Sequence, residues 1–357
     1  MENYKNIRIK DIAKMADVSV GTVDRVLHQR GKVSDEARKR VEKILEQTGY
    51  KPNLLARTLG SNKKLRLVAL IPDPRQDEYW KLSQLGVEQA AHEWSHYGVE
   101  IVPQYFDLYH NEAFAQVASQ VLKSKPDGLL IAPIFFRESS ELFQGLKKAN
   151  IPFVLFNTNI SETSPMCFIG QDLYQSGRVA GELLDLGENN GRKKIAALHL
   201  YEEVENSVHL KAKETGLRDY FSEKPNNKYE IISLSLSGSD QYSSDSQLLD
   251  LLKSNDLHGM MITTSKGAHI AASMLEKLNN HHIRIVGYDL LELNIVYLKK
   301  GLIDFLINQN PKRQAQLGIS YLANQLLFKK EPPKEELFPL EIITRQNLES
   351  YMKSIIH

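Results

Sequence analysis

Residues 9–34 read IKDIAKMADVSVGTVDRVLHQRGKVS, and the rest of the chain is organised around them. Two short helical patterns lie on either side of Asp17-Val18-Ser19, and Ile12, Ala13, Ala16, Val23, Val26 and Leu27 are spaced to share one apolar cluster. Ser19 stands where an N-cap belongs, because its hydroxyl can accept from the free backbone N–H groups of the next turn. The second helix then exposes Val20, Gly21, Asp24, Arg25 and His28. This is a helix-turn-helix signature, whose second helix can lie in the DNA major groove.

Gly31 breaks the pattern, and Ser34 reads as a second N-cap with Asp35 and Glu36 near the positive end of a third helix. Ala37, Val41, Ile44 and Leu45 form the apolar face of that helix, and Gly49 stops it. Residues 1–8 read as a flexible arm. PNLLARTLG, residues 52–60, is too short to be a stable helix in isolation. Ser61-Asn62-Lys63-Lys64 reads as a polar linker.

With 357 residues and 42% apolar content, the chain can bury more than one core. Its net charge of +1 conceals an asymmetry: residues 1–66 hold 16 Lys and Arg against 8 Asp and Glu, and the remainder holds 29 against 36. A basic head on an acidic body fits phosphate contact by the head alone. Cys167 is the single cysteine, so no disulfide framework or CxxC motif is available within the chain. MENYKNIRIK lacks an apolar signal-peptide core, and no run approaches the roughly 18 apolar residues of a membrane span. A cytoplasmic location is expected.

From Arg66 the texture changes. LRLVALIPD, VEIVPQYF, PDGLLI, IPFVLFN, MCFIG, KKIAALHL, YEIISLSL, HGMMITT and IRIVGYD are strand-like runs, with helical patterns such as Trp80 to Trp94 between them. Such alternation implies mainly parallel sheets with helices on both faces. The strands are too many for one small sheet, so two linked α/β subdomains are expected.

The head resembles the DNA-binding headpiece of the LacI family of bacterial transcription regulators. The matching residues are Asp11-Ile12-Ala13, Val18-Ser19, Thr22-Val23, Arg25-Val26, Val33-Ser34 and Gly49-Tyr50-Lys51-Pro52-Asn53. Residues 66–357 resemble, through weaker motifs, the effector domain of the same family, which is similar to ribose-type periplasmic sugar-binding proteins. The implied fold is an all-α helix-turn-helix head over 1–51, a hinge helix and linker over 52–65, and a two-subdomain α/β domain with parallel sheets over 66–357. The resemblance places subdomain crossings near Gln171, Gln309 and Leu337, giving an N-subdomain of about 66–171 with 310–336 and a C-subdomain of about 172–309 with 337–357. It further implies that the hinge folds over the minor groove when two subunits meet, with Leu59 as a wedge between base pairs.

The DNA-contacting residues expected from this likeness are Ser19, Val20, Gly21, Thr22, Arg25, His28, Asn53, Ala56 and Leu59. Val20 and Gly21 stand where the family places its main base readers, and neither can make a bidentate base contact. Arg25 is the best specific reader, since arginine can pair with guanine O6 and N7. Asp24 replaces a serine common in the family and is expected to cap or pair within the head.

For the cleft, the likeness and the strand ends nominate Asp73, Tyr79, Trp80, Asn157, Asp172, Lys213, Thr264, Ser265, Asp289 and Gln309. The aromatic pair Tyr79-Trp80 can cover the apolar face of a sugar. Asn157 stands where the family often has aspartate; its amide both donates and accepts. Asp289 and Gln309 match family positions that hold sugar hydroxyls, whereas Lys213 replaces an arginine. Thr264-Ser265 replaces a usual Asn-Asp pair, which removes a charge and points to an unusual effector.

No catalytic set emerges: the serines lack a nucleophile elbow, and His281-His282 has poor metal-ligand spacing. Asp172 and Asp289 could face each other as a glycosidase pair would, yet a hydrolase does not need the basic head. The expected function is a non-enzymatic, sequence-specific DNA-binding regulator of repressor type, with no cofactor, controlled by a sugar-like effector. Its expected partners are a pseudo-palindromic duplex and a second copy of the chain. A dimer rather than a tetramer is expected, because no heptad follows the body. The rival is a solute-binding protein without a DNA role.

Overall fold

A computed structural model describes residues 9–27, 31–48, 64–187, 193–200, 207–224, 229–236, 241–254 and 256–355. The expected arm, His28, and the hinge with Asn53, Ala56 and Leu59 lie outside the described residues. The chain divides into two units, Met1–Asn62 and Lys63–His357.

In the first unit, α1 (Ile9–Met15), α2 (Val20–Leu27) and α3 (Asp35–Thr48) pack together. Ile12, Ala13, Ala16, Val23, Val26 and Val41 form the buried centre, with Ile9, Val18, Leu27, Val33, Ile44 and Leu45 around it. The short helices have little stability of their own, so this shared apolar centre and the caps define them. Ser19 Oγ accepts from Thr22 N at 3.1 Å, and Ser34 Oγ from Ala37 N at 3.4 Å. Asp17 takes a left-handed φ of 50° and turns the chain between α1 and α2.

The second unit holds two six-stranded sheets. The first collects β1 (Leu65–Pro72), β2 (Val99–Phe106), β3 (Gly128–Ile131), β4 (Phe153–Phe156), β5 (Cys167–Gly170) and β11 (Glu335–Leu337), in the order β11-β5-β4-β3-β1-β2. Every pairing in it is parallel. The second collects β6 (Lys193–Leu200), β7 (Tyr229–Leu236), β8 (Leu257–Ile262), β9 (Arg284–Tyr288), β10 (Phe305–Asn308) and β12 (Glu341–Ile343), in the order β12-β10-β9-β8-β6-β7. It is parallel except at β12, which runs antiparallel to β10. The central strands are buried on both faces, as the continuous apolar runs require. β10, β11 and β12 lie beyond the runs read from sequence; the last two are three-residue edge strands, too short to show a period.

Around the first sheet lie α4 (Glu78–Ser95), α5 (Asn111–Ser124), α6 (Phe136–Lys148) and α12 (Pro311–Phe328). With the second sheet go α7 (Leu173–Asp185), α8 (Val208–Ser222), α9 (Gln241–Leu252), α10 (Gly267–Lys277), α11 (Glu292–Lys300) and α13 (Leu348–Ile355). The chain therefore passes between sheets after β5, after β10 and between β11 and β12. Gln171 joins these passages: its Nε2 donates to the carbonyls of Asn308 at 2.8 Å and Pro339 at 2.7 Å.

Candidate functional site

On the first unit, the outer face of α2 carries Val20, Gly21, Asp24 and Arg25, all exposed, while Val23 and Val26 point inward. Val20 is 46% exposed, an apolar side chain left outside the core on the first turn. Ser19 fixes that turn through Thr22, whose hydroxyl also lies 2.9 Å from Ser19 Oγ. The aliphatic part of Arg25 runs beside Gly31, where a Cβ would stand 3.6 Å from Arg25 Cδ. Gly31 has φ of 69°, which a side chain would strain.

On the second unit, a cleft enclosing about 570 Å³, open mouth included, lies at the carboxyl ends of the strands of both sheets. One wall is built by Asp77, Tyr79 and Trp80 after β1, Leu108 and Tyr109 after β2, Ile134 after β3 and Asn157 after β4. The other is built by Leu200, His209, Lys213 and the run Thr263-Thr264-Ser265-Lys266 after β8. Gln309 closes the floor where the chain crosses between sheets.

The aromatic pair is packed as much as displayed. Tyr79 and Trp80 are about 5% exposed and meet edge to face at 4.9 Å, and Trp80 meets Phe156 similarly at 6.2 Å. Tyr79 Oη accepts from Asn157 Nδ2 at 2.6 Å. Asn157 takes φ of 67°, and its N–H donates to Ile169 O and to Gln314 Oε1, both at 3.0 Å. Gln314 Nε2 in turn donates to Gln309 O at 2.7 Å. Gln314 thereby ties the first wall to the floor.

Asp289 lies behind the cleft surface rather than on it. It is fully buried, with φ of 62°. Its carboxylate accepts from Gln309 N at 2.8 Å, from Gln309 Nε2 at 2.7 Å and from Ser265 Oγ. Burial pushes its pKa up, while these hydrogen bonds and the charge of Lys213 pull it back. Its place is therefore to orient Gln309 and Ser265, which do face the cleft. Lys213, 2% exposed, donates to Thr263 O at 2.9 Å and sits 3.6 Å from the centre of the Tyr288 ring.

Eight of the ten nominated residues come together here, seven on the lining and Asp289 directly behind it. Asp73 and Asp172 do not join them. Asp73 accepts from the Arg75 guanidinium, which holds its pKa below the usual carboxylate range, and it borders solvent on that side. Asp172 is the N-cap of α7, accepting from Gln175 N at 2.9 Å. A glycosidase pair of Asp172 and Asp289 is accordingly absent: one carboxylate caps a helix, and the other is sealed from the cleft.

Sequence reasoning missed Asp77, His209, Thr263, Lys266 and Gln314. Asp77 caps α4 by accepting from Tyr79 N at 2.8 Å. Thr263 and Lys266 flank the nominated Thr264-Ser265, so the loop itself was the signal. Gln314 carried a clearer one. Asn310-Pro311 marks a helix start, and a glutamine among Ala315, Gly318 and Ile319 on the inner face needs buried partners.

Two contacts span the cleft mouth. Glu78 Oε1, at the start of α4, accepts from Glu292 N at the start of α11, at 2.9 Å. Leu291, beside it, is buried in the apolar core of the first sheet. Among the described residues, no group of three or more His, Cys, Asp or Glu is placed to hold a metal ion, and no helix is long and apolar enough to cross a membrane.

The profile of the family "Periplasmic binding protein domain" matches residues 68–330, and that of "Bacterial regulatory proteins, lacI family" matches residues 8–53. The HTH-type transcriptional regulator MalR of Streptococcus pneumoniae is 29% identical over 194 residues, covering 53% of this chain and 56% of MalR. The match thus spans little more than half the length of that relative. The crystal structure of a putative LacI transcriptional regulator from Bacteroides fragilis superposes with a TM-score of 0.76 at 28% identity, over 81% of this chain and 100% of that one. GanP, a glucose-galactose binding protein from Geobacillus stearothermophilus, superposes with a TM-score of 0.70 at 20% identity, over 80% of this chain and 99% of that one, a likeness of fold alone.

Proposed function

Because the chain belongs to the LacI family of bacterial regulatory proteins, with a periplasmic-binding-protein domain following its head in the sequence, we propose that it is a DNA-binding transcription regulator whose operator affinity is set by a small polar molecule in the cleft. The observation that carries this reading is the coexistence, in one chain, of an exposed α2 face on a basic segment and a polar cleft between two sheets. A carrier of solutes has no use for the first.

In this reading two chains pair, two heads bind a pseudo-palindrome, and Arg25 reads a guanine while Val20 touches a thymine methyl. The segment over 52–60 folds in the minor groove, with Asn53, Ala56 and Leu59 against the DNA. Tyr79, Trp80, Asn157, Thr264, Ser265, Lys213 and Gln309 hold the effector, and Asp289 orients two of them. Effector and DNA are then linked by a coupling free energy of about 1–3 kcal/mol, the same in both directions.

The test is selection of binding sequences from a random duplex pool by the purified full chain at physiological salt, with sedimentation to count the copies bound. An inverted repeat bound by two chains is expected. Arg25→Ala should cost about 1–3 kcal/mol and relax preference at one position in each half-site. If no sequence is enriched over random DNA, the regulator reading fails; if Arg25→Ala selects the same repeat as strongly, Arg25 is not a base reader.

A further inference from the structure

A glycine inside a helix weakens it, because it has the most backbone freedom to lose and no side chain to pack. It is retained where something must come close. Among the described helices every glycine but one meets that condition within the chain, since a Cβ there would stand less than 3.0 Å from another group. At Gly86 that group is Lys312 O at 2.0 Å, at Gly145 it is Leu122 Cδ1 at 2.5 Å, and at Gly318 it is Leu130 Cδ1 at 2.5 Å.

Gly21 is the exception. It is exposed on the first turn of α2, its φ is not positive, and a Cβ there would meet nothing nearer than Ser19 Oγ at 3.7 Å, an ordinary contact. Neither packing nor backbone conformation in the described residues calls for a glycine. What remains is a close approach from outside the chain.

The neighbouring side chains indicate what approaches. Val20, beside it, is 46% exposed. The Thr22 hydroxyl is taken up with Ser19, and Asp24, one turn on, carries a carboxylate that accepts and cannot donate. The turn thus presents an isopropyl group beside bare backbone, with no long side chain to pair two atoms of a base edge. The first residues of the second helix of a helix-turn-helix meet base edges in the major groove. There the one feature that an apolar side chain recognises is the C5 methyl of thymine.

We infer that the first turn of α2 reads a C5-methyl group at close range: Gly21 lets the helix backbone settle against the base edges, and Val20 packs on the methyl. Thymine and 5-methylcytosine are then equivalent at that base, and uracil and unmethylated cytosine are both rejected. This deepens the regulator reading and rests on it, since it names the chemical group that the head selects and leaves hydrogen-bonded readout to Arg25.

The experiment uses the full chain and the duplex selected by it from the random pool. Each thymine is replaced in turn by deoxyuridine, which removes the methyl and nothing else. At one position in each half-site the loss should weaken binding about three- to tenfold, the scale of one buried methyl group with its packing. Cytosine paired with guanine at that position should bind as poorly, and 5-methylcytosine should restore most of the affinity. Val20→Ser should bring the thymine-to-uracil ratio close to one. Gly21→Ala should leave the protein at least as stable to heat, since alanine is the better helix former, yet bind the duplex about tenfold or more weakly, as a backbone held off the bases requires. Uracil tolerated at every position would overturn the inference, as would a thymine-to-uracil ratio unchanged by Val20→Ser, or Gly21→Ala binding as tightly as the unaltered chain. In each of these cases the selected duplex itself leaves the regulator reading standing; a chain that enriches no duplex removes that reading and this inference together.

Discussion

Glu214 shows how single side chains in this fold carry a wall of the cleft. Its Oε2 lies 2.7 Å from His199 Nε2, and His199 Nδ1 lies 2.8 Å from the hydroxyl of Thr263, a lining residue. Its other oxygen accepts from Arg218 Nε at 2.7 Å and from Ser233. The contact with His199, aided by Ser233 and Arg218, lowers the Glu214 pKa to about 2 against the cost of burial. A folded pKa below the ordinary value stabilises the fold above that ordinary value, and the contribution is lost as pH falls through about 4.5 towards 2. Glu214→Gln should therefore cost a few kcal/mol near neutral pH, and the gap to the unaltered protein should narrow between about pH 5 and 3. Urea unfolding of both proteins across that range checks it; a gap independent of pH would mean that the carboxylate charge is not what counts. At this scale the sequence was a partial guide. A strand-end position nominates Asp289, which the fold places behind the lining, because the direction a carboxylate faces depends on the rotamer and its neighbours.

At the scale of elements, the helix pair α7 and α8 sets the position of Lys213. Gly177 and Gly216 make it possible, because a Cβ at Gly177 would stand 1.9 Å from Lys213 O and one at Gly216 would stand 2.0 Å from Tyr174 O. Both helices must yield backbone to accommodate a methyl group. Gly177→Ala should destabilise the second unit by about 1–3 kcal/mol or more, as overpacking does, and should weaken ligand binding by shifting Lys213. The outcome against this is a variant with unchanged melting temperature and affinity. Helix and strand types were legible because the apolar runs and helical spacings are strong. The close approach of α7 to α8 was not, since a glycine in a helix reads only as a mild local cost until its neighbour is known. The three-residue edge strands β11 and β12 were equally silent, because their pairing is supplied by β5 and β10.

For the second unit as a whole, the contacts that span the cleft mouth connect ligand binding to shape. Leu291 inserts into the core of the first sheet from the segment that follows β9, and Glu78 holds the start of α11. Gln171 fastens the three crossings on the opposite side. Removing the mouth contacts should let the sheets swing apart about those crossings. Leu291→Ala and, with less loss of packing, Glu78→Ala should raise the radius of gyration in X-ray scattering and weaken ligand affinity; identical scattering curves would show that the mouth is held by something else. The sequence by itself determined the helix-turn-helix head, the division into a basic head and an acidic body, and the α/β alternation, because periodicity, caps and charge are local or additive properties of the chain; of the fifteen lining residues it nominated seven, and those through the family likeness. Only the tertiary structure decided that Asp289 supports the site from behind, that Asp172 and Asp73 turn away, that Gln314 ties one wall to the floor while Gln171 joins the crossings, and that the Thr264 hydroxyl has no hydrogen-bond partner among the described residues. Each of those depends on which distant residue fills the hydrogen-bonding position beside it, and that is fixed by packing between elements far apart in the sequence.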